Sequence, residues 1–222
     1  AQGQTNYPPS NGVLELRNAV ADFYKRRLDC DYAAESVRIV SWGRPMIYGA
    51  FQTLVNAGER VVYPVPSWNN NHYASIVGAK PVEITCGADT NFLPTAALLT
   101  GAVRGATLLS LNSPSNPTGT MFTAEQLADI CDLVLDENAR RGPDDRPLFV
   151  MYDQIYWMLT FGGGRHVNPV SLRPEMAKYT IFVDGISKAF AATGLRVGWG
   201  VGPADVIKSI PAIPRRSGRS LF

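Results

Sequence analysis

Short apolar runs recur along the chain, each followed by a turn and then by a stretch whose apolar residues fall three or four apart. The runs are Val37–Val40 (VRIV), Val61–Tyr63 (VVY), Pro81–Thr85 (PVEIT), Thr107–Leu111 (TLLSL), Leu148–Met151 (LFVM) and Thr180–Val183 (TIFV). Runs this short and this rich in Val, Ile and Leu predict strands buried on both faces, as in a mostly parallel sheet. Between them, Leu16, Val20, Phe23, Tyr24 and Leu28 share one helical face, and Leu127, Ile130, Cys131 and Val134 share another. Thr123 with Gln126 three residues on spells a capping box at the start of the second helix. Strand and helix in alternation predict an α/β fold, a mostly parallel sheet with helices on both faces in three layers.

In such sheets ligands gather at the carboxyl ends of the strands, so the residues that follow each run carry the candidate chemistry. VRIV leads into Ser41-Trp-Gly-Arg-Pro45, which opens a helix; TLLSL leads into Asn112-Ser-Pro-Ser-Asn-Pro-Thr-Gly119. LFVM leads into Tyr152-Asp153-Gln-Ile-Tyr156, and TIFV into Asp184-Gly-Ile-Ser-Lys188 with Arg196 beyond. An anion cup, an amide, a carboxylate and a lysine thereby meet at one rim. Lys188 is either a solvated ammonium or, at a partly dry rim beside other cations, an amine activated for Schiff-base chemistry. Asp153 ends an apolar strand, where it serves either as a turn or N-cap aspartate or as partner to a cation. Tyr156 is a core aromatic or turns its hydroxyl to the same side. Two prolines stiffen the loop that presents Asn116. Trp68, after VVYPVP, is a core aromatic or a stacking platform. Gly43 offers helix-start N–H groups to a phosphate, although Pro45 lacks one.

Composition narrows the classes. At 222 residues, 45% hydrophobic and 18% charged, the chain suits one sizeable packed domain. Lys and Arg number 21 against 19 Asp and Glu, a net +2 that announces neither a nucleic-acid nor a membrane partner. No run reaches the roughly 20 apolar residues of a membrane helix, and AQGQTNYPPSNG is no signal peptide. Cys30, Cys86 and Cys131 are scattered singly, which suits neither a disulfide scaffold nor a metal site and points to a reducing, cytoplasmic setting.

NSPSNPTG, Asp153-x-x-Tyr156, Ser187-Lys188 and Arg196 together resemble the class I/II aminotransferases, the fold-type-I enzymes that use pyridoxal 5′-phosphate. DGISKAFAATGLRVGW is most similar to the prokaryotic aspartate-aminotransferase group, and the likeness runs from about Tyr7 to about Ile210. The resemblance implies that Lys188 forms a Schiff base with the cofactor and shuttles the substrate's α-proton. It implies that Asp153 pairs with the pyridinium nitrogen, that Asn116 and Tyr156 bond the ring hydroxyl, and that Trp68 stacks on the ring. Gly43, Arg44 and Arg196 would hold the phosphate. Tyr7 would reach the phosphate of a neighbouring subunit, which implies a homodimer, and His72 would stand behind Asp153. The implied substrates are an amino acid and a 2-oxo acid.

Two positions depart from the pattern: Gly185 stands where many members carry a serine, and Pro45 where a donor is usual. Residues 1–210 read as the large, cofactor-binding domain. The tail, residues 211–222, matches nothing in the family's small domain, so the chain reads as a piece of a longer protein. Carbon–sulfur lyases share the same motifs, and a non-catalytic cofactor-binding module is the alternative of a different class. A dinucleotide binder is disfavoured, since no G-x-G-x-x-G follows a strand and Gly162–Gly164 have no helix signal behind them.

Overall fold

The computed structural model describes residues 6–210; the tail discussed above lies outside the described residues. Seven strands run in chain order: β1 Val37–Val40, β2 Arg60–Val65, β3 Lys80–Thr85, β4 Ala106–Asn112, β5 Phe149–Asp153, β6 Thr180–Gly185 and β7 Gly198–Val201. The helices are α1 Leu14–Leu28, α2 Gly43–Leu54, α3 Asn70–Ile76, α4 Ala96–Leu99, α5 Ala124–Ala139, α6 Pro169–Leu172, α7 Ile186–Ala189 and α8 Ala204–Ser209. The strands form one sheet in the order β1-β7-β6-β5-β4-β2-β3. Pairs among β2 to β6 are parallel, and β7 is antiparallel to both of its neighbours.

Successive side chains on each strand point to opposite faces, and the core divides accordingly. Val62, Leu109, Leu111, Val150, Tyr152 and Phe182 pack with Tyr24 and Leu28 of α1 and with Leu127, Ile130 and Val134 of α5. On the other face, Val61, Tyr63, Leu108, Met151, Ile181 and Val183 pack with Met46 and Phe51 of α2, Tyr73 of α3 and Ile207 of α8. This is the three-layer α/β arrangement that the sequence predicts, and the Thr123–Gln126 capping box is formed in both directions.

Two expectations are corrected. PVEIT is not buried on both faces: β3 is an edge strand whose side chains range from half-buried to exposed. A seventh strand, β7, joins β1 to β6, and its glycines are the reason it escapes a reading based on apolar runs. A Cβ at Gly198 would stand 2.8 Å from the Trp42 carbonyl carbon and 3.0 Å from the Gly43 nitrogen, and one at Gly200 would strike Met46. The strand gives up side chains so that α2 can pack directly on it.

Candidate active site

The strand directions bring the predicted residues to one edge. β1 lies antiparallel to β7 and β7 antiparallel to β6, so β1 ends on the same side as the parallel strands and β7 begins there. The segments after β1, β2, β4, β5 and β6, and the residues before β7, therefore share the carboxyl edge.

At its centre lies Asp153, the last residue of β5. Its Oδ1 accepts from the Ile155 N–H at 3.1 Å, and among the described residues no hydrogen bond reaches Oδ2. Burial pushes this carboxyl up to about 6, against the pull of that backbone bond. Asp153 opens into a shallow cleft shared with Trp68, Asn70, Ser110, Asn112, Met151 and Ile47. Trp68 follows β2 and is 47% exposed, a ring face presented to solvent and cleft together. Asn112 ties the loops: its Nδ2 donates to the Asp153 carbonyl at 2.8 Å, and its Oδ1 accepts from the Asn116 N–H at 2.6 Å. The Asn116 loop is closed by Gly119 N–H donating to Ser115 O and Ser115 N–H donating to Thr120 O, both at 2.8 Å.

Cations cluster on one flank. α2 begins at Gly43 behind Trp42, with no side chain capping its first N–H groups. The Arg44 guanidinium lies 5.8 Å from the Trp68 ring centroid, and that of Arg196 lies 4.2 Å from the Trp42 ring centroid. Arg196 has φ 57°, a left-handed turn that brings its Nη1 to the Thr193 carbonyl at 2.6 Å. Gly185 cannot carry a larger residue, because a Cβ there would meet the Val197 oxygen at 2.8 Å and the Gly198 Cα at 2.9 Å. Lys188 lies on the short turn α7, with Nζ 5.6 Å from the Tyr156 ring centroid. It is exposed; the dry surroundings expected of it are not supplied by the described residues.

Two residues stand apart. Tyr7 is fully exposed, with no bond to the rim among the described residues. His72 does not stand behind Asp153: the register of α3 turns Asn70, Tyr73 and Ala74 inward and leaves His72 exposed. Asn70 takes the inner place, accepting from Ser110 Oγ at 2.7 Å and donating to Ser67 Oγ at 3.1 Å. Sequence reasoning missed it because the more reactive side chain two residues on drew the assignment. Asn112 was missed beside Asn116 in the same string, where position at the very end of β4 was the available signal.

The chain is similar over nearly its whole length to known proteins. The aspartate aminotransferase of Bacillus sp. (strain YM-2) is 31% identical over 218 residues, spanning 97% of this chain and 53% of that protein. The aspartate aminotransferase structure from Rhizobium meliloti superposes with a TM-score of 0.88 at 28% identity, over 96% of this chain and 51% of that one. The N-succinyldiaminopimelate aminotransferase structure from Mycobacterium tuberculosis gives a TM-score of 0.84 at 31% identity, over 94% and 53%. The chain spans about half the length of the curated relatives it matches. The sequence profile described as aminotransferase class I and II matches residues 1–217, and the chain belongs to that family.

Proposed function

We propose that residues 1–210 are the large, cofactor-binding domain of an aminotransferase that moves an amino group from an amino acid to a 2-oxo acid, working as a cytoplasmic homodimer. Class I and II aminotransferases are pyridoxal-phosphate enzymes. The observation that carries the reading is Asp153, a carboxyl held among strand ends with one oxygen still open to a cleft under an exposed tryptophan. Such a group fits a protonated ring nitrogen and is badly suited to a phosphate or a substrate carboxylate. The two arginines and the uncapped start of α2 on the flank fit the phosphate.

When bound, pyridoxal phosphate supplies a conjugated ring that draws electron density from the substrate's α-carbon. The side chains do the rest. Asp153 holds the proton on the ring nitrogen, Trp68 covers a ring face, and Asn116 and Tyr156 bond the ring hydroxyl. Gly43, Arg44 and Arg196 anchor the phosphate, and Lys188 is the attachment point and the base that moves the α-proton. Tyr7, fully exposed on this protomer, would complete the phosphate site of its partner. The cytoplasmic setting is supported by three cysteines that are all unbridged. Among the described residues no helix is long and apolar enough to cross a membrane. The relatives' names span aspartate and N-succinyldiaminopimelate, so the substrate class stays at amino acid plus 2-oxo acid.

The test is direct. Protein supplied with the cofactor develops the visible band of a lysine-attached chromophore, and Lys188→Ala abolishes it. Amino-group transfer from a donor to a 2-oxo acid then identifies an aminotransferase. The band without turnover would mark a binding module, and product release without an acceptor would mark a lyase.

A further inference from the structure

Asp184 lies one residue beyond the β6 position that pairs with Asp153, and alternation sends the two carboxyls to opposite faces of the sheet. Asp153 opens to the cleft. Asp184 is 1% exposed and faces α1. Its Oδ2 accepts from Trp157 Nε1 at 3.0 Å and from Tyr24 Oη at 3.3 Å, and its Oδ1 accepts from the Gly185 N–H at 2.7 Å. Behind Tyr24, Gln154 Nε2 donates to Tyr24 Oη at 3.2 Å, and Gln154 Oε1 lies 3.1 Å from His166 Nε2.

The chemistry of these groups gives the chain a direction. Gln154 donates through its nitrogen, so its oxygen accepts and His166 carries its proton on Nε2. Tyr24 receives that amide hydrogen and so gives its own to Asp184. Trp157 and Gly185 have only N–H to offer. Three donors therefore converge on a carboxylate to which no described residue offers an acceptor, and each of them works for the ionised form against the cost of burial. Burial outweighs the pull of these three hydrogen bonds and, with a smaller push from Asp153, leaves the carboxyl at about 7, so that it carries its charge above neutral pH.

Asp184 also immediately precedes Gly185 and the α7 turn that bears Lys188. We propose that Asp184 is a positioning residue, which fixes the lysine turn from behind the sheet and places a negative charge there that keeps the lysine-attached cofactor in its proton-bearing form to higher pH. The inference rests on the function proposed above. The titratable groups facing Asp184 are Tyr24 on α1, with Cys30 beyond it, Asp153 on β5 and His166 through Gln154, while Lys188 follows on the α7 turn. β7 contributes only the uncharged Trp199 opposite it. His166 is held down to about 4 by burial and Tyr24 is raised by burial, so both stay neutral across the neutral range. Asp153 is the one group that competes with Asp184 for ionisation there.

The experiment is a pH titration of the visible band of the cofactor-loaded chain, for wild type, Asp184→Asn and Tyr24→Phe, with melting temperatures alongside. Removing the charge in Asp184→Asn moves the midpoint to lower pH by about one unit. Tyr24→Phe removes one donor and leaves the carboxyl, which ionises less readily, so the midpoint moves the same way by less. If the amide of Asp184→Asn clashes with Trp157 and the variant fails to fold, Tyr24→Phe decides alone. Variant titrations that superimpose on a normal wild-type curve overturn the inference and leave the proposed function standing. A wild-type protein with no lysine-dependent band overturns both.

Discussion

The two edges of the sheet treat charge in opposite ways. At the amino edge, charged groups are matched. Glu137, near the end of α5, accepts from Arg140 at 2.6 Å, from Arg141 at 3.0 Å and from the Gly105 N–H at 3.4 Å. Arg141 also donates to the Ala106 carbonyl at 2.8 Å, where β4 begins. Arg146 bonds both oxygens of Glu59 at 2.8 Å and the Leu54 carbonyl at 2.7 Å. At the carboxyl edge, among the described residues, Asp153 keeps an oxygen open and Lys188 is exposed beside the Tyr156 ring face. A matched cluster stabilises the fold, whereas groups left open have ligands to meet.

The largest expected effect lies at the open edge. Asp153→Ala removes the group proposed to hold the ring-nitrogen proton, and turnover should fall by about 10²–10³-fold with cofactor retained weakly. Unimpaired α-proton exchange in that variant would sink the assignment. The same residue gives a pH signature. Burial raises it from the ordinary 3.8 to about 6, so the fold favours the neutral acid; that contribution is complete below about pH 4 and is lost as pH rises through 6. Cofactor-free wild type should therefore lose stability between about pH 4 and 6, and Asp153→Ala should lose less over that window. Bound cofactor supplies a cation and should flatten the loss. Melting temperatures across this range read all three.

At the matched edge the expectation reverses. Glu137→Ala strands Arg141 and leaves the Gly105 N–H without its carboxylate, at a cost of about 3 kcal/mol in stability. Cofactor affinity in the fraction that remains folded should not change. Burial pushes Glu137 up, but its Arg141 bond, the Gly105 N–H and the charges of Arg141 and Arg140 outweigh that and hold it below its ordinary 4.5. Its stabilisation is thus present above pH 4.5 and lost as pH falls below it, the opposite slope to that of Asp153. Denaturant titrations at pH 7 and pH 3.5 separate the two.

The carboxyl edge was the more legible of the two in sequence. Its groups stand immediately after apolar runs, so locating Val150 or Ile181 locates Asp153 and Lys188 as well. What escaped reading depends on packing between distant segments. Tyr24 meets Asp184 across 160 residues, and no local pattern announces that pair. The inward turn of Asn70 in place of His72 follows from the register of one short helix, and β7 hides behind glycines that only its contact with α2 explains. The expectation for β3 failed for a related reason: an alternating PVEIT run says nothing about whether a further strand will cover it.

The smallest effect tests whether the two edges are independent. α5 joins them, since Thr123 caps it just after the Asn116 loop and Glu137 closes its far end. Thr123 Oγ1 accepts from the Gln126 N–H at 3.2 Å, and Gln126 Oε1 accepts from the Thr123 N–H at 3.1 Å. Thr123→Ala should cost about 1 kcal/mol by freeing a first-turn donor. Asn116 does not lean on that cap: it is held by Asn112, and the end of the loop is held by Phe122 N–H donating to Ser113 Oγ at 3.2 Å. Cofactor affinity should accordingly stay at its wild-type value while the melting temperature drops. A parallel loss of affinity would mean that the helix transmits its fraying to the asparagine, and the division into a stabilising edge and a ligand-binding edge would then fail at a helix that spans both.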